Sequence, residues 1–217
     1  MKHRKALCLI LLVLCLFAGS VSVQAQTTQA EARPAQTETK DDETNLDTQL
    51  YLIVGTNGDV ADAKIPASLD AVMKQLRATL PFRNYRLAAT LINRVKNEGK
   101  LELGWIGAPL VATAAASQPT TRSSFRVRQI KLGRNSEGQS TVQLAGFAFS
   151  AQIPIQTNVA AALADNRPIP PVFNYEGTSL STDISMREGE PVVVGTLNVG
   201  PSGDAIILVV SAKRTTK

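Results

Sequence analysis

Histidine and cysteine are almost missing from this chain. Of its 217 residues, one is His and two are Cys, and all three (His3, Cys8 and Cys15) lie within the N-terminal stretch 1–25. That stretch reads as an export signal. Lys2, Arg4 and Lys5 form a basic start, and Ala6 to Ala18 is an apolar run shorter than the ~20 residues a spanning helix needs. Val23-Gln24-Ala25 then places small residues where a signal peptidase cuts. Two competing readings are a retained anchor and a lipoprotein at Cys15. For the latter, Leu14 stands where Gly, Ala or Ser is wanted. Cleavage after Ala25 leaves a mature chain with neither Cys nor His. Disulfides are then excluded in a compartment that would permit them. Zinc and copper sites lose their usual ligands, and Ser-His-Asp and Cys-His catalysis lose their base.

Aromatics are also scarce, at 5%. Together with export, this disfavours nucleic acid as a partner. Charge redistributes on cleavage. The signal takes three of the 23 basic residues, leaving 20 against 18 acids, a mature net charge of +2. Residues 26–50 hold six acids and two bases, whereas 51–217 hold 12 acids and 18 bases. A modestly basic body suits anionic envelope polymers or lipid headgroups, although ordinary solubility explains it as well.

The mature chain contains no Ser-x-x-Lys, no Asp-Thr/Ser-Gly and no Gly-x-Ser-x-Gly. Glu176, Asp183, Glu188 and Glu190 cluster in sequence and could pair as acid and base; turn and surface roles account for them more simply. Asn57, Asp59 and Asp62 have part of a calcium-loop pattern but lack its closing Glu, so a turn is expected. No catalytic, cofactor-binding or metal-binding residue is assigned, no cofactor is expected, and the protein is read as a non-enzyme.

What is there is mostly β pattern. The expected organisation is a signal (1–25), a disordered spacer (26–48), a small α+β module (49–110), a linker or long loop (111–124) and an antiparallel β domain (125–217). Whether the two folded stretches form one domain or two is open. Leu50 to Val54 reads as a strand. Ser68 to Leu80 reads as a helix, with Leu69, Val72, Met73, Leu76 and Leu80 on one stripe, Ser68 as N-cap and Pro81 as the stop. Leu87 to Val95 and Leu101 to Trp105 alternate around Asn97-Glu98-Gly99. That turn predicts a hairpin with Val95 opposite Leu101 and Leu91 opposite Trp105.

A second hairpin is predicted around Arg134–Gly138. One register sets Leu132 against Val142, Ile130 against Leu144, Val127 against Phe147 and Phe125 against Phe149. The apolar phase slips by one residue near Gly146, which predicts a bulge that buries opposite faces at the two ends. Ile153 and Ile155 flank Pro154 as an edge strand. Arg167–Pro171 reads as a stiff polyproline-like connector. Leu180 to Met186, Val192 to Val199 and Ala205 to Ala212 are three further strands. Ile206 to Val210 is an unbroken apolar run, expected to be buried on both faces. The class is therefore α+β, mainly β: a strand–helix–hairpin unit followed by an antiparallel β-sandwich-like domain.

The segment Arg187-Glu-Gly-Glu-Pro-Val-Val-Val-Gly195, with the closing strand Ala205–Ala212, resembles the C-terminal β-domain of bacterial secretins, the outer-membrane channels of secretion and pilus systems. The strand–helix–hairpin before it is similar to the small modules that precede secretin channels. Thr196 replaces the second Gly of the secretin pattern, and the Val-Pro-x-x-x-x-x-Pro gate signature is absent. The chain is also short for a membrane-spanning β-wall. The resemblance thus implies a relative or accessory that keeps the β-scaffold without the channel. It implies no catalytic residues. The expected role is a structural or interaction module of the periplasm or outer-membrane face. Its expected partners are further copies of itself or an envelope assembly, with no nucleic acid and no stable membrane span after cleavage. The alternative is a periplasmic β-sandwich that binds glycan or peptide through aromatics among Trp105, Tyr85, Tyr51 and Tyr175.

Overall fold

The computed structural model describes residues 44–58, 65–107, 110, 119–157, 172–199 and 203–215. The signal, most of the spacer, Asp59, Asp62 and the 167–171 connector lie outside them. The strands are β1 (Asn45–Thr56), β2 (Asn84–Lys96), β3 (Leu101–Gly107), β4 (Thr121–Val127), β5 (Gln129–Arg134), β6 (Ser140–Gln156), β7 (Phe173–Arg187), β8 (Val192–Val199) and β9 (Asp204–Arg214). A single turn of 3-10 helix (Ala67–Leu69) leads into helix α1 (Asp70–Thr79). The fold is α+β and mainly β. No described helix is long and apolar enough to cross a membrane.

Two antiparallel sheets carry the structure. The first has the order β2-β1-β9-β8. In the second, β3 pairs with β4, β4 and β5 follow one another along one edge of β6, and β7 takes the other edge of β6. Strands from 49–110 and from 125–217 share both sheets, since β1 pairs with β9 and β3 with β4. Every described residue falls in one unit, Glu38–Lys217.

The alternation of side chains along a strand sends neighbours to opposite faces. In β9 it fills two cores at once. Ile206, Leu208, Val210 and Ala212 enter the core between the sheets, while Ile207 and Val209 face α1. β1 does the same, with Leu50 and Leu52 on one side and Tyr51 and Ile53 on the other. The result is three layers: helix, sheet, sheet. The unbroken apolar run of β9 is thus buried on both faces, as its pattern requires. β1 begins at Asn45, inside the stretch that composition assigns to the spacer, because Leu46 and Thr48 are buried as the strand's first inward positions.

Helix α1 buries Val72, Met73 and Leu76, with Leu69 just before it. Ser68 does not cap it. The 3-10 turn places Leu69 at the N-cap, and no side chain bonds the first N–H groups. Asp70 and Arg77 sit in the first and last turns, where the helix dipole favours them.

The second predicted hairpin holds in register: Leu132 faces Val142, Ile130 faces Leu144 and Phe125 faces Phe149. The phase slip is also present. Gly146 adopts φ +62°, and the pairing of β6 with β7 shifts between Leu144 and Phe147. Its consequence differs from expectation. Phe125, Val127, Phe147 and Phe149 before the slip, and Ile130, Val142 and Leu144 beyond it, all join one core. The bulge restores the inward phase rather than turning the strands to opposite sides.

The first predicted hairpin does not form. β2 pairs with β1 and β3 with β4, so Val95 lies opposite Leu46 and Leu101 opposite Val127. Residues Asn97–Gly99 are an arch between the two sheets. Glu98 takes φ +63°, Asn97 N–H donates to Thr44 O at 2.8 Å, and Glu98 N–H donates to Ile130 O at 2.7 Å. The Asn97 side-chain oxygen accepts the N–H of Leu132 at 2.9 Å. Backbone groups that a hairpin would have paired across the turn are thus satisfied by neighbouring elements. A second arch, Glu188–Pro191, carries the chain from β7 in one sheet to β8 in the other. The strand of β7 begins at Phe173, seven residues before the alternation that announces it.

Candidate interaction surfaces

Of the carboxylates that cluster in sequence, Glu176 and Asp183 lie apart on β7, and Glu188 and Glu190 lie in the second arch. Asp183 points at the bulge, where its Oδ1 accepts the N–H of Gly146. Glu188 holds β9: its Oε1 accepts the Arg214 N–H at 2.8 Å, and its Oε2 lies 3.4 Å from the Arg214 guanidinium. Glu176 and Asp183 sit on the same strand, seven residues and so roughly 23 Å apart at ~3.3 Å per residue, on opposite faces. That exceeds the separation at which two carboxylates share one substrate bond. Glu190 lies exposed in the second arch. Among the described residues no group of three His, Cys, Asp or Glu could hold a metal. Asn57, left from the calcium-like pattern, accepts the Arg83 N–H on its Oδ1 at 3.1 Å.

The aromatics are mostly committed to packing. Tyr85 is buried and its hydroxyl donates to Leu76 O at 3.1 Å; burial raises its pKa above the ordinary tyrosine value. Tyr51 is buried and its hydroxyl donates to Gln49. Trp105 packs against the inter-sheet core, with its ring 6.3 Å from Phe149. Only Tyr175, at 50% exposure, faces outward among the four.

Two kinds of surface remain. The first is strand edge. In the second sheet β7 pairs with β6 from Phe173 to Arg187, and no described strand hydrogen-bonds its other edge. The strand is 15 residues long and contains no Lys and no Pro, two residues that commonly protect such an edge. β3 leaves the opposite edge of the same sheet open, and there Ile106 is 67% exposed. In the first sheet β2 is likewise open, with Ile92 67% exposed.

The second surface is the outward face of the second sheet. Alternation along β4 buries Thr121, Ser123, Phe125 and Val127 and turns Arg122, Ser124 and Arg126 out. Register then extends each outward position across the sheet. Gly104, Ser124, Ser150 and Ser179 form one cross-strand row, and Glu102, Arg126, Ala148 and Ser181 the next. Ser124 and Ser150 share a hydrogen bond of 2.8 Å between hydroxyls. Because these side chains are small, the rows leave a depression of about 400 Å³ beside Arg126. It continues into one of about 260 Å³ between Arg128 and Asp183. Arg128 lies across the bulge so closely that a Cβ on Gly146 would fall 2.1 Å from its Nε. Sequence reading missed this face. Its arginines are visible in Arg122-x-x-x-Arg126-x-Arg128, but its floor comes from β6 and β7.

No family model matches the chain, and no curated protein matches it. Several solved structures do. The Salmonella SPI-1 type III secretion injectisome secretin InvG matches at a TM-score of 0.33 and 11% identity, over 81% of this chain and 66% of that one. The V. cholerae Type IV competence pilus secretin PilQ matches at 0.32 and 10%, over 80% of this chain and 58% of that one. A chain of the Klebsiella pneumoniae type II secretion system outer membrane complex of PulD, PulS and the PulC HR domain matches at 0.32 and 12%, over 80% of this chain and 39% of that one. These scores are too low to carry function from those proteins to this one. The chain is similar to secretin domains, weakly and over part of their length.

Proposed function

We propose that this is a non-catalytic exported envelope protein, periplasmic or associated with the outer membrane. In this reading it is a structural and interaction module that assembles through its open sheet edges. The observation that carries it is the second edge of β7, a 15-residue strand with no described strand beside it, on a sheet whose other edge, β3, is also open. An exposed edge of that length is a template for another strand. Two different open edges on one sheet give a head-to-tail contact, which closes into a ring where the rotation allows. Placement in or beside a secretion or pilus assembly rests on the resemblance of Arg187–Gly195 and Ala205–Ala212 to the secretin β-domain. The alternative, glycan or peptide binding on an aromatic groove, has one exposed aromatic of its four, Tyr175.

Sedimentation and negative-stain electron microscopy of residues 26–217 test the proposal, together with crosslinking in isolated envelopes. Oligomers or a crosslinked envelope partner are expected. Replacing Ser181 and Thr182 by Pro, one at a time, separates the two edges of β7. One substitution removes a bond to β6 and lowers the melting temperature. The other removes an N–H from the free edge and lowers assembly alone. A strictly monomeric protein that captures nothing on crosslinking overturns the reading.

A further inference from the structure

The outward face of the second sheet carries three guanidinium groups in line. Arg122, Arg126 and Arg128 are all exposed, and none of them takes part in an ion pair among the described residues. At ~3.3 Å per residue the Cα atoms of Arg122 and Arg126 stand roughly 13 Å apart along β4, and Arg128 follows one residue past the end of that strand. Of the two acids on this face, Asp183 is engaged by the Gly146 N–H, and Glu102 lies across from Arg126 on β3.

We propose that this face binds a linear acidic polysaccharide, a sugar chain bearing carboxylate, sulfate or phosphate groups, laid along β4 with its acid groups on Arg122, Arg126 and Arg128. Three features select that occupant. Guanidinium forks bind planar and tetrahedral oxyanions with two parallel hydrogen bonds, which an array of ammonium groups does not. The floor beside them offers the hydroxyls of Ser124, Ser150, Ser179 and Ser181, short donors and acceptors that match sugar hydroxyls. Beside the three arginines the face presents one exposed aliphatic side chain, Ile106 opposite Arg122 on β3, and no aromatic ring in the cross-strand rows of Arg122 and Arg126. A single such side chain gives little for a bilayer to take up, and single-stranded nucleic acid stacks on aromatic rings. The depression beside Arg126 is about 400 Å³, room for a sugar or two rather than for a folded partner. This surface uses the outward side chains of Ser179 and Ser181 on β7, whereas the proposed assembly uses the backbone edge of that strand; the arginine variants leave β7 unchanged, so either proposal can fail alone.

The test uses residues 26–217 and two probes, heparin and polygalacturonate, with phosphatidylglycerol vesicles as the competing surface. The face variant is Arg122→Gln with Arg126→Gln and Arg128→Gln. The control variant is Lys74→Gln with Arg77→Gln and Lys96→Gln, three exposed positions on α1 and β2 that remove the same charge. Both are checked for an unchanged thermal melt. Wild type is expected to bind both polymers in a salt-dependent manner. The face variant should lose about tenfold or more in affinity, and the control less than about twofold. Equal losses in the two variants would reduce the effect to net charge and overturn the proposal. So would binding to vesicles without binding to either polymer.

Discussion

Gly195 shows how one missing side chain leaves room for a neighbour from the facing sheet. A Cβ built there would lie 2.5 Å from Cδ1 of Leu180, which reaches across from β7. The pairing of β8 with β9 also slips between Val193 and Gly195, so the glycine sits at a bulge. The run Val192–Gly195 in this chain therefore has a packing reading: three side chains fill the strand, then none where Leu180 reaches across. Gly195→Val should destabilise by about 1–3 kcal/mol through overpacking, read as a lowered urea midpoint with an unchanged slope. A midpoint equal to wild type would refute it.

Asp47 gives the matching electrostatic case. Arg94 donates to its two oxygens at 2.8 and 3.4 Å. That contact holds the Asp47 carboxyl below the usual carboxylate range and raises the Arg94 guanidinium. A carboxyl whose pKa falls on folding is more readily protonated in the unfolded chain. Its contribution is present above the unfolded value and is lost as pH falls below about 4. Arg94 is exposed and Asp47 half-buried, so solvent reaches the pair and the effect is small and screened by salt. Asp47→Asn should be less stable than wild type at pH 7 and indistinguishable from it near pH 2. Urea melts at the two pH values decide this, and a gap that persists in acid would show that the carboxylate is not its source.

Among the elements, β9, like β1, bears heavily on stability because both of its faces are covered. Leu208 is fully buried between the sheets. Leu208→Ala should cost about 2–5 kcal/mol, measured by chemical denaturation, and a cost under 1 kcal/mol would mean that the inter-sheet core collapses around the gap. This strand was legible in the sequence because an unbroken run from Ile206 to Val210 leaves no polar face for solvent. The β5–β6 hairpin was legible for a second reason: one short turn joins two alternating strands, and a single register satisfies every apolar pair. The β2–β3 pairing was misread by the same rule. Leu91, Val95, Leu101 and Leu103 do face inward together, but period-2 alternation reports a strand's face and not its neighbour. β1 and β4 took those edges instead. Leu87 adds a local reason, since the register of β1 with β2 slips between Leu52 and Ile53 and sends Leu87 to the helix side. The arginine face was half legible. The residues of β4 spell it out, but their neighbours Ser150 and Ser179 follow only from a register that joins distant parts of the chain.

At the scale of the molecule, the two arches place β2 with β3, and β8 with β7, at the two open sides of a sandwich. Function then concentrates on what sheets leave over, their edges and their outward faces. The absence of His and Cys from the body limits the chemistry that such surfaces can perform; binding and assembly need neither. One feature of the first sheet also governs when any of this can exist. β1 and β9 lie side by side at its centre, with Leu50 opposite Val210 and some 160 residues of chain between them. Closing a loop of that length costs about 4–5 kcal/mol of chain entropy on a (3/2)RT ln n scaling. The innermost contact is therefore among the last that the chain can make. A polypeptide that still lacks residues 204–214 has no centre to its first sheet, so that sheet closes only once nearly the whole chain is present.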